Sequence, residues 1–253
     1  MLTFQSERTV GMTTNFYAPP SAIRGSRVVL PNDEARHLRS VLRAEPGDEI
    51  TVVDGEGGWY RVQIDHLGAE QVVGSILERR EDVGEPDVHV TVGLGILTKR
   101  SRFETFVEKA VEVGVRRIVP LITRHTERDS IRADRLRKVM IAALKQCRRS
   151  RLPALAEPQS LAALLHDATA DRQLLCHGDA GETSLLSALG GRPDSVLALV
   201  GPEGGFASDE FDAAVEAGCT PVGLGRRRLR AETAGIVAAT AATLRSGPGI
   251  GEG

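Results

Sequence analysis

The hydrophobic positions of this chain change rhythm once. From about Met12 to Gly84 they fall in short β-branched stretches, VVLP, EITVVDGEGGWYRVQI and EQVVGSILERR, parted by Gly and Asp turns. Short runs of that kind predict strands. One segment breaks the pattern. DEARHLRSVLR places Ala35, Leu38, Val41 and Leu42 on one helical face and leaves Arg36, Arg39 and Arg43 mostly off it. GEPDV, at Gly84 to Val88, combines Gly, Pro and acidic residues and reads as a linker. Beyond it strands alternate with helices. Val88 to Ile96 is strand-like, and Phe103, Phe106, Val107, Ala110 and Val111 then recur at i, i+3, i+4, i+7 and i+8. That spacing predicts an amphipathic helix ending near Gly114. RRIVPLI reads as a strand and Ala133 to Arg149 as a second helix; QLLCHG, SVLALVGPEGG and TPVGLG are further strands beside helical sequence. Alternation of this kind predicts an α/β fold, a mostly parallel sheet with helices on its faces. The expected division is a β-rich domain over 12–84 and an α/β domain over 86–253. Residues before Met12 share no pattern and read as a tail or an overlong start.

Composition agrees with two folded domains. At about 150 residues per domain, 253 residues make two the natural count. A hydrophobic share of 41% with 26% charged residues suits a globular chain, and aromatics at 4% argue against a module that stacks many bases on exposed rings. No run of about eighteen apolar residues occurs, and MLTFQSERTV lacks a basic-then-apolar leader, so a cytoplasmic protein is expected. Cys147, Cys176 and Cys219 form no CxxC pair and the histidines have no ligand spacing, so no metal is expected.

Charge changes the picture more. The net of −2 hides sixteen Lys/Arg against six Asp/Glu between Lys99 and Arg151, and a second knot of Arg226, Arg227, Arg228 and Arg230. Two separated basic clusters point to a polyanion, since clustered cations neutralise phosphates.

Two segments carry candidate chemistry. In SVLALVGPEGGFASDEFDAAVEAG an apolar strand enters the turn Gly201, Pro202, Glu203, Gly204, Gly205, and a helix follows from about Ser208. Ligands of open α/β sheets bind outside the carboxyl ends of strands, where glycine permits close backbone approach. The turn matches neither a P-loop nor GxGxxG, and a plain tight βα turn fits it equally well. In VGLGRRRLRAETAGIVAATAATLR, Gly225 permits a bend, four arginines follow, and Thr233 can cap an Ala-rich helix with Glu232 near its positive end. A basic loop with a capped helix is the plainer reading.

Taken together, GPEGGF and LGRRRLRAETA resemble the signature of the RsmE family of ribosomal RNA methyltransferases, of the SPOUT class. FYAPP and HLRSVLRAEPGDEI resemble that family's N-terminal PUA-like barrel; KAVEVGVRRIVPLITRHTER and KQCRRSRLPAL resemble its central stretches. The resemblance implies a trefoil-knotted α/β domain behind a small PUA-like RNA-binding β-barrel. It also implies transfer of a methyl group from S-adenosylmethionine to N3 of one uridine in the decoding region of 16S rRNA, by a homodimer. Motif matching places Leu199, Gly201, Gly204, Leu224, Gly225, Leu229, Thr233 and Ala234 against the cofactor, with Leu199, Leu224 and Leu229 flanking its adenine. A SPOUT ribose 2′-O-methyltransferase and a non-catalytic ribosome-binding factor are the alternatives. Four positions depart from the family pattern: Lys145 for an acidic residue, His125 for arginine, Arg228 for an aliphatic residue and Ala207 for serine. With Ala207 in place, Ser208 is the expected cap of the helix after GPEGG.

Methylation at N3 requires the target base to be unpaired or flipped, and a cation to stabilise developing negative charge. Arg230 is the first candidate; a phosphate contact, or an ion pair with Glu232 or Glu203, is an equal alternative. Arg36, Arg39 and Arg43 of the first domain, and Arg148, Arg149 and Arg151 of the second, are the expected RNA contacts. Trp59 and Tyr60 are expected in the core.

Overall fold

The computed structural model describes residues 15–68, 71–178 and 183–246, so the expected N-terminal tail lies outside the described residues. The chain divides into two compact units, one formed by the segment up to Glu85 with Ile141–Leu152, the other by Pro86–Met140 with the chain from Pro153. The expected second domain, 86–253, thus lends a basic segment, Ile141–Leu152, to the first unit.

In the first unit, β1 (Phe16–Tyr17), β2 (Ile23–Arg24), β3 (Arg27–Leu30), β4 (Glu49–Val53), β5 (Gly58–Leu67) and β6 (Val72–Glu81) form one sheet in the order β1-β4-β5-β6-β3-β2. Alternating residues Val28 and Leu30, Ile50 and Val52, Val62 and Ile64 point into a single core. Phe16 from one end of the path and Ile23 from the other pack on that same core, so the sheet curls around it. Register shifts between Arg61/Val62 and Ile64/His66 supply bends of the kind that curl sheets. Among the described residues no ladder closes β1 on β2, which makes the barrel an open one. Tyr60 packs on the core and donates its hydroxyl to Asp54 Oδ2 at 2.9 Å. Burial, then that hydrogen bond, push its pKa up to about 12. Trp59 is only half-buried, with the Arg80 guanidinium 5.0 Å from its ring centre.

The predicted helix is present as α1 (Asn32–His37), continued by a wider π turn over Leu38–Leu42 and stopped by Arg43 at φ 50°. Ala35 and Leu38 are buried and Leu42 lies against the core, but Val41 is exposed. The 3.6-residue spacing places Val41 wrongly because the π turn is wider than an α turn and rotates later side chains away.

In the second unit, β7 (His89–Gly95), β8 (Arg117–Ile122), β9 (Ala154–Leu155), β10 (Gln159–Ser160), β11 (Arg172–Cys176), β12 (Ser195–Val200) and β13 (Thr220–Val222) build a parallel sheet. Its order is β10-β8-β7-β12-β11-β13, with β9 also on β8. Its helices are α2 (Arg100–Glu112), α3 (Ala133–Cys147), α4 (Leu161–Asp167), α5 (Leu185–Leu189), α6 (Ser208–Glu216) and α7 (Ala231–Ser246), though the last residues of α3 belong with the first unit. All five predicted positions of α2 are buried. α7 packs on α2, β7 and β12 through alanines such as Ala234, Ala238 and Ala242. Gly235 explains the closeness, because a Cβ there would stand 2.8 Å from Phe106 Cε2. On the other side of the sheet Leu161, Leu164, Phe206 and Ala214 form a core with Leu175, Leu197 and Leu199. Cover on both faces is why SVLALV is apolar without alternation. The short helices α4 and α5, each capped by a serine oxygen (Ser160 and Ser184), have too few residues to show periodicity.

Candidate functional site

The site begins where three parallel strands stop together. Cys176 is level with Val200 on one neighbour and with Val222 on the other. From those ends leave His177–Gly178, the turn Gly201–Gly205, and the loop from Gly223 to Arg230. They enclose a cleft of about 760 Å³, completed by the start of α7 and by Arg102 of α2. Glycine is required twice in the turn's immediate geometry. A Cβ on Gly201 would lie 2.8 Å from the carbonyl carbon of Gly205, and one on Gly204 would lie 2.9 Å from His125 Cβ. Gly205 and Gly225 sit at φ 71° and 96°, which other residues rarely adopt. His125, one of the departures from the family pattern, braces the turn, its Nδ1 lying 3.2 Å from Gly205 O.

Six of the eight residues expected at the cofactor line this cleft: Gly201, Gly204, Leu224, Gly225, Leu229 and Ala234. Two do not. Leu199 is fully buried in the core below, with Leu121 and Leu164, so its side chain cannot flank a bound ring. Thr233 is exposed and lies inside the first turn of α7, which starts at Ala231; it is not the cap of that helix. Ser208 is likewise the first residue of α6 rather than its cap. Ala207 holds the cap position, and its N–H donates to Glu210 Oε2 at 2.9 Å. Cys176, His177, Gly178, Val200, Phe206 and Arg102 line the cleft without having been expected there. QLLCHG already held a signal, since an apolar strand that ends in glycine, parallel to two others, must end beside them.

Arg102 sets the electrostatics. Its Nη1 lies 3.7 Å from Glu203 Oε1 and its Nε 3.7 Å from Glu232 Oε1. Glu203 also accepts the Thr98 N–H at 3.4 Å. The ion pair considered for Arg230 is therefore made by Arg102 instead. Arg226, Arg227, Arg228 and Arg230 are exposed, line the cleft, and form no ion pair with any described residue. Burial pushes the Cys176 thiol up to about 12 and that of Cys219 to about 11. Both stay neutral near pH 7, as small core hydrophobes rather than nucleophiles. Among the described residues no cluster of His, Cys, Asp and Glu is arranged for a metal, and no helix is long and apolar enough to cross a membrane.

The six arginines expected at RNA all belong to the first unit. Arg36, Arg43 and Arg148 are exposed, and Arg39 Nη1 donates to Gly68 O at 2.6 Å. Arg149 corrects the expectation. It is only 3% exposed, and its Nη2 meets Glu85 Oε2 at 2.7 Å while its Nε lies 3.2 Å from both carboxylate oxygens. A side chain so enclosed cannot reach a phosphate. Arg151 is half-buried against Asp82, 2.8 Å from Nε to Oδ1. Lys145 also has a structural role, 2.5 Å from Glu34. Burial raises the Glu34 pKa against the pull of that lysine.

Comparison with known proteins agrees with this architecture. The RNA methyltransferase domain family matches residues 84–243, and the RNA methyltransferase PUA domain family matches residues 30–77. Ribosomal RNA small subunit methyltransferase E of Mycobacterium bovis is 30% identical over 233 residues, which is 88% of each chain. The chain belongs to the ribosomal RNA small subunit methyltransferase E family. A probable rRNA methyltransferase of Porphyromonas gingivalis superposes with a TM-score of 0.82 at 32% identity, over 89% of this chain and 95% of that one. The methyltransferase E of Neisseria gonorrhoeae, solved bound to S-adenosyl methionine, superposes with a TM-score of 0.79 at 29% identity, over 90% and 96%. For a methyltransferase E, the α/β unit with the three-turn cleft is the methyltransferase part of the molecule and the curled sheet its PUA part.

Proposed function

We propose that this chain transfers the methyl group of S-adenosylmethionine to N3 of a uridine in 16S rRNA of the small ribosomal subunit. The observation that carries the reading is the cleft itself, three glycine-bearing turns at the ends of parallel strands in a methyltransferase E. Its wall fits the donor chemically. Gly201, Gly204 and Gly225 let backbone come close to a nucleoside, while Leu224 and Leu229 offer apolar surface to an adenine ring. Ala234 leaves room at the start of α7. Leu199 supports the floor from below and Thr233 faces outward, so neither side chain is assigned a contact. When bound, S-adenosylmethionine supplies a methyl group on a sulfonium, open to attack by nitrogen.

The N3–H proton has to pass to water or a base as the N3–C bond forms and the S–CH3 bond breaks, the donor leaving as a neutral thioether. Negative charge builds on the uracil ring as the proton departs. Arg230, on the cleft and without a carboxylate partner, is placed to stabilise that charge. It does not act as the base, because a guanidinium keeps its proton at neutral pH. Residues 12–84 act as the RNA-binding part and 86–253 as the knotted catalytic part. Arg36, Arg39, Arg43, Arg148 and Arg151 are the proposed backbone contacts. The working form is a homodimer, for which the exposed Val237 and Leu244 of α7 offer apolar surface.

The test is labelled methyl transfer to small subunits lacking the modification, with the product nucleoside identified by mass spectrometry. N3-methyluridine is expected. A 2′-O-methyl product would overturn the target, and no transfer despite bound cofactor would favour a binding factor.

A further inference from the structure

The charge of the cleft does not match the charge of its methyl donor. S-adenosylmethionine carries a sulfonium, an ammonium and one carboxylate, so it arrives with one net positive charge. Among the described residues, the carboxylates beside the cleft, Glu203 and Glu232, both lie 3.7 Å from Arg102. Arg226, Arg227, Arg228 and Arg230 are left without an acidic partner among the described residues, on one loop. The donor's single carboxylate cannot balance four guanidinium groups, and the excess positive charge raises the cost of bringing in a cation unless a polyanion lies over the loop.

We infer that Arg226, Arg227 and Arg228 form a phosphodiester clamp at the mouth of the cleft, which holds the RNA backbone beside the target nucleotide and couples RNA binding to donor binding. The inference rests on the proposed function and adds to it the partner of this loop. Gly225, at φ 96°, turns the chain out of β13, and the three arginines follow as exposed residues in an irregular loop. Guanidinium forks suit phosphate oxygens. Phosphates laid across the loop cancel the repulsion felt by the donor. Coupling between two ligands is reciprocal, so each then binds more tightly in the presence of the other.

The experiment compares the full chain with Arg228→Ile, which removes one cation from the exposed loop, and with Arg226→Ala/Arg228→Ile. Binding of a single-stranded oligouridylate and of small ribosomal subunits is measured over a range of salt, and S-adenosylmethionine binding is measured by calorimetry with and without the oligouridylate. The slope of log affinity against log salt should fall by about 0.7 for each arginine removed. Donor affinity without RNA should hold or rise, and its gain on adding RNA should shrink. Unchanged RNA affinity and slope in the double variant would overturn the clamp. So would loss of donor binding together with RNA binding, which would make these guanidinium groups donor contacts and not a separate clamp. Failure of the parent chain to bind S-adenosylmethionine would overturn the methyl-donor reading and the coupling with it, while the salt slopes alone decide the phosphate contacts.

Discussion

Arg148-Arg149-Ser150-Arg151 and Arg226-Arg227-Arg228-Leu229-Arg230 are nearly the same text, yet the molecule uses them in opposite ways. In the first, Arg149 is buried against Glu85 and Arg151 holds Asp82, while Ser150 N donates to Val83 O. The segment is a clasp that ties Ile141–Leu152 into the first unit. In the second, the arginines follow a glycine bend on the rim of a cleft and meet no carboxylate among the described residues, where Arg102 holds Glu203 and Glu232. A run of arginines therefore says little about its partner. What decides is whether an acidic residue distant in sequence, such as Glu85, is folded onto it. Desolvated ion pairs are costly to break, and exposed unpaired cations are cheap to remove.

That contrast can be broken first at its strongest point. Arg149→Ala strands the Glu85 carboxylate in a buried site, and chemical denaturation should show a loss of about 3–5 kcal/mol. A loss below about 1 kcal/mol would place Arg149 with the solvated arginines after all.

A second break uses pH. Burial raises the Glu34 pKa above its ordinary 4.5, so the native state holds a proton that the unfolded chain releases. Its contribution favours folding below about pH 4.5 and is lost as the pH climbs through the raised native value. Melting measured as a function of pH should show that decline, and Glu34→Gln should flatten it; an identical profile in the variant would remove Glu34 as its source.

Arg151→Ala sharpens the comparison from the middle. Its partner Asp82 is half exposed, so solvent already screens the pair, and the expected loss is about 1 kcal/mol or less. Smallest of all, Arg227→Ala should change stability by no more than about 0.5 kcal/mol by the same denaturation, while RNA affinity falls. A large destabilisation there would show that the loop carries a hidden structural contact.

Much of this was legible because it is local. The spacing of Phe103, Phe106, Val107, Ala110 and Val111 describes α2 completely, since a helix face needs only the 3.6-residue period. The strand–turn–helix around Gly201–Gly205 follows from an apolar run meeting glycines. Val41 was misplaced because a π turn changes the period without changing the sequence pattern. Motif matching puts Leu199 against the cofactor, but β12 is covered on both faces and that side chain lies in the core.

The amino-acid sequence by itself determined the two rhythms, the parallel α/β unit with its glycine turns, the basic excess and the family. Each of these rests on neighbours within a few positions or on motifs in order. Tertiary structure alone decided that the ends of β11, β12 and β13 close one cleft and that Arg102 answers carboxylates far along the chain. It also decided which run of arginines is spent inside the protein and which is left facing a ligand. The physical reason is range: hydrogen-bonded periodicity is settled between near neighbours, whereas the energy of a charge depends on what the fold brings beside it and how much water remains.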